Sequence, residues 1–86
     1  MRLKHAWWEG VPTVYTAQPD MHAWCWDGDE WVEVDWFEVC NKAGMVSPQE
    51  FADLCALRGA DRIFAGLRRL ERELAGHSPA PCLHIV

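Results

Sequence analysis

A chain of 86 residues with a net charge of −5 has room for one domain, and its composition of 50% hydrophobic and 24% charged residues excludes a wholly disordered chain. The charge is uneven, because residues 1–40 carry two basic and eight acidic side chains whereas residues 41–86 carry six and five. This acidic first half disfavours nonspecific binding to nucleic acid or to anionic lipid.

The amino terminus is basic, at Arg2 and Lys4, but the apolar run that a signal peptide needs does not follow it. No segment has the length and apolar character needed to span a bilayer. We therefore expect a cytoplasmic protein with no membrane partner. In such a reducing compartment the four cysteines are predicted to be free thiols, and they are Cys25, Cys40, Cys55 and Cys82.

Four short segments rich in tryptophan, valine, threonine and tyrosine predict an antiparallel meander of three or four strands. Turn residues separate these segments, which are residues 2–9, 13–17, 21–26 and 31–34. The clearest break is residues 27–30, where Gly28 can supply the positive φ that a two-residue hairpin turn requires. That turn would place Trp26 opposite Trp31 as a cross-strand aromatic pair.

The hydrophobic period changes to that of a helix after Asp35. Apolar residues recur at i, i+3, i+4 and i+7, and they are Trp36, Val39, Cys40 and Ala43. Asp35 can cap the first turn, with Glu38 three residues further on, and Gly44 is predicted to end the helix.

Two further helices are predicted downstream. Ser47, Pro48 and Glu50 combine a capping serine, a proline at the first helical position and a glutamate at the third. This pattern predicts a second helix that continues to Gly59. A third helix is predicted over residues 60–75, where leucine, isoleucine and phenylalanine form an apolar stripe.

These elements predict a single α+β domain over residues 1–86, with a small antiparallel meander followed by three helices packed on one face. The meander covers residues 1–34 and the helices cover residues 35–76. The tail, residues 77–86, contains proline, and its apolar end is β-prone enough to return as an edge strand.

Candidate metal ligands come from two short motifs. His22 and Cys25 have a His-x-x-Cys spacing, and Cys82 and His84 from the tail could complete a tetrahedral zinc site. The other two cysteines lie on apolar helix stripes, where free cysteine behaves as a small hydrophobic residue. We therefore predict no bound metal or cofactor, and a zinc-stabilised module remains an alternative.

Catalytic motifs are missing from the sequence. Its two serines are Ser47, which is explained as a helix cap, and Ser78, which lies in the tail. The chain contains no G-x-S-x-G, no phosphate-binding loop and no H-E-x-x-H. We therefore predict that the protein is not an enzyme.

Nucleic-acid binding is the second functional alternative. Residues 49–55 resemble the first helix of a helix-turn-helix, although Ala56 stands where that motif prefers glycine and Arg62 where it expects an apolar residue. The resemblance implies a DNA-binding regulator whose recognition face is basic. Its candidate residues are Arg58, Arg62, Arg68, Arg69 and Arg72. The overall acidity would weaken the phosphate contacts, and Arg69 can instead pair with Glu73.

Protein binding is the preferred prediction because six tryptophans are more than a core of this size can easily hide. Trp8 and Trp31 are candidate contact residues, since exposed aromatic side chains are enriched in binding hot spots. Acidic residues in and after the predicted hairpin would attract a basic partner, and they are Asp27, Asp29, Glu30, Glu33 and Asp35. Alternatively, the tryptophans only brace a thin sheet and the acids only keep it soluble.

The sequence thus predicts a small, non-enzymatic protein-binding regulator or inhibitor, monomeric or homodimeric, that blocks a partner with a basic surface. Small acidic proteins of phages and mobile elements that disarm host defences, of the anti-CRISPR or anti-restriction type, have this character. The comparison is with a class of proteins and not with a family.

Overall fold

A five-stranded antiparallel sheet and three helices make up the computed structural model, which describes residues 3–76. The strands are β1 (Lys4–Trp8), β2 (Val11–Tyr15), β3 (Ala23–Trp26), β4 (Trp31–Val34) and β5 (Gly44–Met45). The helices are α1 (Trp36–Lys42), α2 (Pro48–Ala56) and α3 (Ala60–Gly76). The strand order across the sheet is β4-β3-β2-β1-β5. The predicted α+β fold, an antiparallel meander followed by three helices, is confirmed.

The first hairpin turns more tightly than predicted. The pairing of Trp8 with Val11 leaves a two-residue turn of Glu9 and Gly10, and both have positive φ, at 52° and 78°. These angles fit a type I′ turn, which matches the twist of the flanking strands. Val11 and Pro12 therefore belong to β2, and the prediction that they form part of the break was wrong.

The second predicted hairpin is confirmed. Trp26 pairs with Trp31 across β3 and β4, and their ring centroids are 5.6 Å apart with an edge-to-face angle of 63°. Gly28 in the connecting turn has a φ of 106°, a conformation that side chains disfavour. The turn residue and the aromatic pair together fix the register of β4.

The predicted caps of α1 and α2 are also present. The Asp35 carboxylate accepts a hydrogen bond from the Glu38 N–H at 3.1 Å, and the Ser47 hydroxyl accepts one from the Glu50 N–H at 3.1 Å. Gly44 does not cap α1 in the predicted way. It continues with Met45 as β5, a strand that the sequence analysis missed, which pairs with β1.

The helices cover both faces of the sheet, because adjacent strand residues point in opposite directions. On one face Val14, Trp24 and Trp26 pack against α2 and α3. On the other face α1 packs through Val39 against a second cluster that includes Tyr15. The prediction that all three helices share one face was therefore wrong for α1. Coverage of both faces also explains why Trp7 and Trp8, which point in opposite directions, are each half-buried.

The predicted edge strand near the end of the tail lies outside the described residues. Within residues 3–76, none of the helices combines the length and apolar character needed to cross a membrane.

Candidate functional site

A groove with a volume of about 400 Å³ lies between the β3–β4 hairpin and α3. The rings of Trp26 and Trp31 contribute to its lining on the sheet side, and Gly66 and Leu70 do so on the helix side. Charged side chains also line it, and they are Asp29, Glu30, Arg62, Arg69 and Glu73. The groove therefore combines aromatic surface with charges of both signs.

Close packing of α3 on the hairpin fixes the position of Trp31. A Cβ atom placed on Gly66 would lie only 3.0 Å from Cδ1 of Trp31 and 3.3 Å from Cζ3 of Trp26. The Trp31 indole N–H donates a hydrogen bond to the carbonyl oxygen of Ile63 at 3.1 Å. Glycine lets the helix backbone approach the two rings, and the hydrogen bond then holds Trp31 in one orientation.

The acidic turn is ordered by its own backbone. The Asp27 carboxylate accepts hydrogen bonds from the N–H groups of Asp29 and Glu30, both at 2.8 Å. These bonds lower the pKa of Asp27 below its usual value, because they favour the charged carboxylate. Asp29 forms an ion pair with Arg62 of α3, which ties the tip of the hairpin to the helix.

The remaining predicted acidic residues have separate roles. Glu33 pairs with Nδ1 of His22 at 2.9 Å, and Asp35 caps α1. Within residues 3–76, no hydrogen bond or ion pair engages the exposed Glu30 carboxylate. Of the five predicted acidic contact residues, Glu30 is therefore the one whose carboxylate has no hydrogen-bond or ion-pair partner within the described residues.

Trp8 and Trp31, the two predicted aromatic contact residues, are not brought together. Trp31 lines the groove, whereas Trp8 packs against the cluster on the α1 face of the sheet. Both side chains are half-buried. Only Trp31 can act with the acidic turn at a single site.

The five arginines of the predicted nucleic-acid face do not form one free surface either. The Arg58 guanidinium lies 5.3 Å above the ring of Trp7, and Arg62 is held by Asp29. Arg69 lines the groove, and Arg68 and Arg72 are exposed on α3. Asp29 and Glu30 stand beside the first turn of α3, so they would repel a phosphate approaching Arg62.

The candidate zinc ligands do not converge in the part of the chain that the structure describes. The His22 ring stacks on the Trp24 ring with a centroid distance of 5.8 Å and pairs with Glu33, while Cys25 points to the opposite face of the sheet. Residues 3–76 contain no group of three side chains that could hold a metal ion. Cys82 and His84 lie outside the described residues.

Cys55 gives a testable pH dependence. Burial raises the pKa of this thiol to about 11, although Arg58 lowers it somewhat. An unfolded chain would ionise the thiol near its ordinary pKa of 9.0. Stabilisation by the buried neutral thiol is therefore complete below pH 9.0 and is lost as the pH rises towards 11. We expect the unfolding temperature to fall less steeply over this interval in Cys55→Ala than in the parent chain. Parallel curves for the two proteins would contradict the assignment.

Sequence reasoning missed the helix side of the groove. Gly66 and Leu70 lie within the third predicted helix, residues 60–75, and no sequence motif marks either as a site residue, yet both line the groove. One signal was present, since a glycine inside an amphipathic helix usually has a packing reason. The aromatic ring that Gly66 contacts depends on how α3 lies on the sheet, and the helical period does not contain that information.

Comparison with known proteins found that no protein-family model, no curated protein and no solved structure matches this chain. A function therefore has to be inferred from the groove and the charges beside it.

Proposed function

We propose that this protein binds another protein stoichiometrically, without catalysis, and regulates or inhibits it by covering a basic surface. The contact site is the groove between the β3–β4 hairpin and α3. The observation that supports this proposal most directly is the juxtaposition, in one groove, of the half-buried Trp31 ring with the unengaged carboxylate of Glu30.

This pair of side chains suits a lysine or arginine of a partner. The aliphatic stem and cation would lie against the indole ring, and the charged head would meet Glu30. Trp31 is already fixed by Ile63 and Gly66, so little side-chain freedom would be lost on binding. The surrounding acidic charge would mainly increase the association rate and the selectivity for basic partners.

Inhibition of a nucleic-acid-binding enzyme is a setting in which such a surface would work. The basic groove of that enzyme would accept an acidic hairpin in place of its phosphate ligand. Proteins of the anti-CRISPR and anti-restriction type form a class with this mode of action, and we propose that setting for this chain.

A helix-turn-helix DNA-binding function has less support. Residues 57–59 do separate α2 from α3, as such a motif requires. However, Arg62 is paired with Asp29 and Arg58 lies on Trp7, so two of the five candidate arginines already have contacts within the chain. The acidic turn beside α3 would oppose the phosphate contacts that dominate such affinity.

A pull-down from the source cell with a tagged chain, in the presence of nuclease, tests the proposal. We expect one stoichiometric protein partner in the parent sample. Glu30→Lys should weaken its binding by about tenfold or more, equivalent to about 1.4 kcal/mol. The matched control is Asp20→Lys, which makes the same charge change in the exposed loop between β2 and β3.

The control decides between local and overall charge. Asp20→Lys should leave the affinity within about twofold of the parent, because that loop lies at the end of the sheet away from the hairpin. Equal losses in the two variants would show attraction by net charge alone. Recovery of nucleic acid, or of proteins that disappear with nuclease, would contradict the proposal and favour the arginines of α3.

A further inference from the structure

The direction of the backbone groups of β4 follows from two hydrogen bonds. The Asp27 N–H donates to the Glu30 carbonyl oxygen at 3.0 Å, across the hairpin, and the Thr16 N–H donates to the His22 carbonyl oxygen at 2.8 Å. In an antiparallel ladder alternate residues direct their N–H and C=O groups to the same neighbour. Since Glu30 bonds across the hairpin, the residues two and four positions after it also direct their N–H and C=O groups toward β3. These residues are Val32 and Val34.

The other two residues of β4 point their backbone groups away from the sheet. Trp31 and Glu33 each direct one N–H and one C=O outward, and β4 is the last strand in the order of the sheet. Within residues 3–76, no backbone hydrogen bond reaches this edge. The opposite edge, β5, has only two residues, so β4 is the longer edge at which a strand could be added.

Charge determines which strand can pair there. Residues 27–38, which contain β4, carry six acidic side chains and no lysine or arginine. A second copy of this chain would bring two such segments side by side, and like charges on adjacent strands destabilise the pairing. A strand that carries positive charge would instead be attracted.

Side-chain alternation specifies the pattern of that strand further. Trp31 and Glu33 lie on the face covered by α2 and α3, where Trp31 lines the groove, whereas Val32 lies on the other face and is 40% exposed. A residue of the added strand next to Glu33 would face its carboxylate, of which His22 engages only Oε2. Its neighbours in sequence would lie against the exposed side chain of Val32. Alternating basic and apolar residues match both faces.

We propose that the outer edge of β4 binds an extended segment of the partner protein, with alternating basic and apolar residues, as an additional antiparallel or parallel strand. This inference rests on the proposed function and names how the basic partner is held. Main-chain hydrogen bonds to Trp31 and Glu33 would supply affinity, and Glu33 and Val32 would supply specificity.

Amide hydrogen exchange measured by NMR on the full chain tests this inference. The probe is a short peptide that alternates lysine and valine. In the free protein the amides of Val32 and Val34 should exchange slowly, and those of Trp31 and Glu33 should exchange fast. A saturating amount of the peptide should slow Trp31 and Glu33 by about tenfold or more.

The matched control is the same peptide with N-methyl groups on the amides that would face β4. It keeps the charge and the side chains but cannot donate the ladder hydrogen bonds, so it should bind at least about tenfold more weakly. Equal binding of the two peptides, or failure of the unmethylated peptide to bind, would overturn the inference. Slow exchange of Trp31 and Glu33 in the free monomer, or a slowing that follows dimer formation, would assign the edge to this chain itself and also overturn it.

Two variants test the outward N–H of Glu33 separately from its carboxylate. Glu33→Gln removes the carboxylate and keeps the outward N–H, whereas Glu33→Pro removes both and leaves the bonds from Val32 and Val34 to β3 in place. We expect the proline variant to bind the peptide several-fold more weakly than the glutamine variant, and equal affinities would contradict the inference.

If a basic partner is captured but its complex leaves Trp31 and Glu33 exchanging fast, the inference fails and the proposed function stands. If no partner is captured, the proposed function fails.

Discussion

Phe51→Ala should lower the free energy of unfolding by about 3–5 kcal/mol, a large part of the total of about 5–15 kcal/mol that such domains possess. Phe51 is 1% exposed, at the point where α2 meets the sheet. Its ring centroid lies 4.6 Å from that of His5, 6.3 Å from that of Trp7 and 6.1 Å from that of Phe64. Alanine would leave a cavity among these rings, and chemical denaturation measures the loss.

Phe37→Ala is the matched control, because it removes the same side chain from α1. Phe37 is 58% exposed and its ring touches that of Trp36 with a centroid distance of 5.2 Å. The expected change is below about 1 kcal/mol. Similar losses in the two variants would show that α2 is not anchored by Phe51.

Gly66→Leu should lower the free energy of unfolding by about 2 kcal/mol, because overpacking at so close a contact should cost about 3 kcal/mol, the upper end of its range, and loss of the helical glycine returns about 1 kcal/mol. The side chain would begin 3.0 Å from Cδ1 of Trp31, so either α3 moves away from the sheet or Trp31 rotates. Rotation would break the hydrogen bond to Ile63. The cost exceeds the benefit of about 1 kcal/mol that replacing a helical glycine brings. Thermal unfolding should show a decrease of about 4–8 °C for each kcal/mol.

Ala65→Leu is the control for Gly66→Leu, since it adds an equally large side chain to the adjacent position of α3. Ala65 is exposed at the groove, and leucine there should change the unfolding temperature little. If Gly66→Leu proved as stable as this control, α3 would not approach the two tryptophans as described.

Local rules explain which parts of the fold could be predicted. The turn at Gly28, the cap at Ser47 and the cap at Asp35 each depend on a signal contained within about four residues. The pairing of Trp26 with Trp31 follows from the turn between them. For these elements the physical cause and the sequence pattern occupy the same short segment.

Long-range packing explains what could not be predicted. β5 consists of Gly44 and Met45, and it is a strand only because Ala6 and Trp7 pair with it. Two residues are too few to show the alternation of a strand. The position of α1 on the opposite face depends on the path of the chain from one edge of the sheet to the other, which the apolar stripe of a short helix does not specify.

The candidate site was predicted in part. The acidic composition of the hairpin was evident, but composition did not distinguish Glu30 from Asp29, Glu33 and Asp35. Each of these three has a role within the chain that depends on its neighbours in space or on its position at a helix start. The arginine face was predicted from the helical period, and that period could not reveal that Arg62 lies within reach of Asp29.

Both edges of the described sheet belong to one continuous stretch, residues 31–45, in which α1 crosses the sheet from β4 to β5. Val39, which is 1% exposed, is the buried side chain through which this helix packs against the sheet. If the stretch detached, β3 and β1 would lose their outer neighbours together, and two fresh edges would become available for aggregation or for exchange between molecules. Docking of this seven-residue helix therefore keeps the outer sides of β3 and β1 covered.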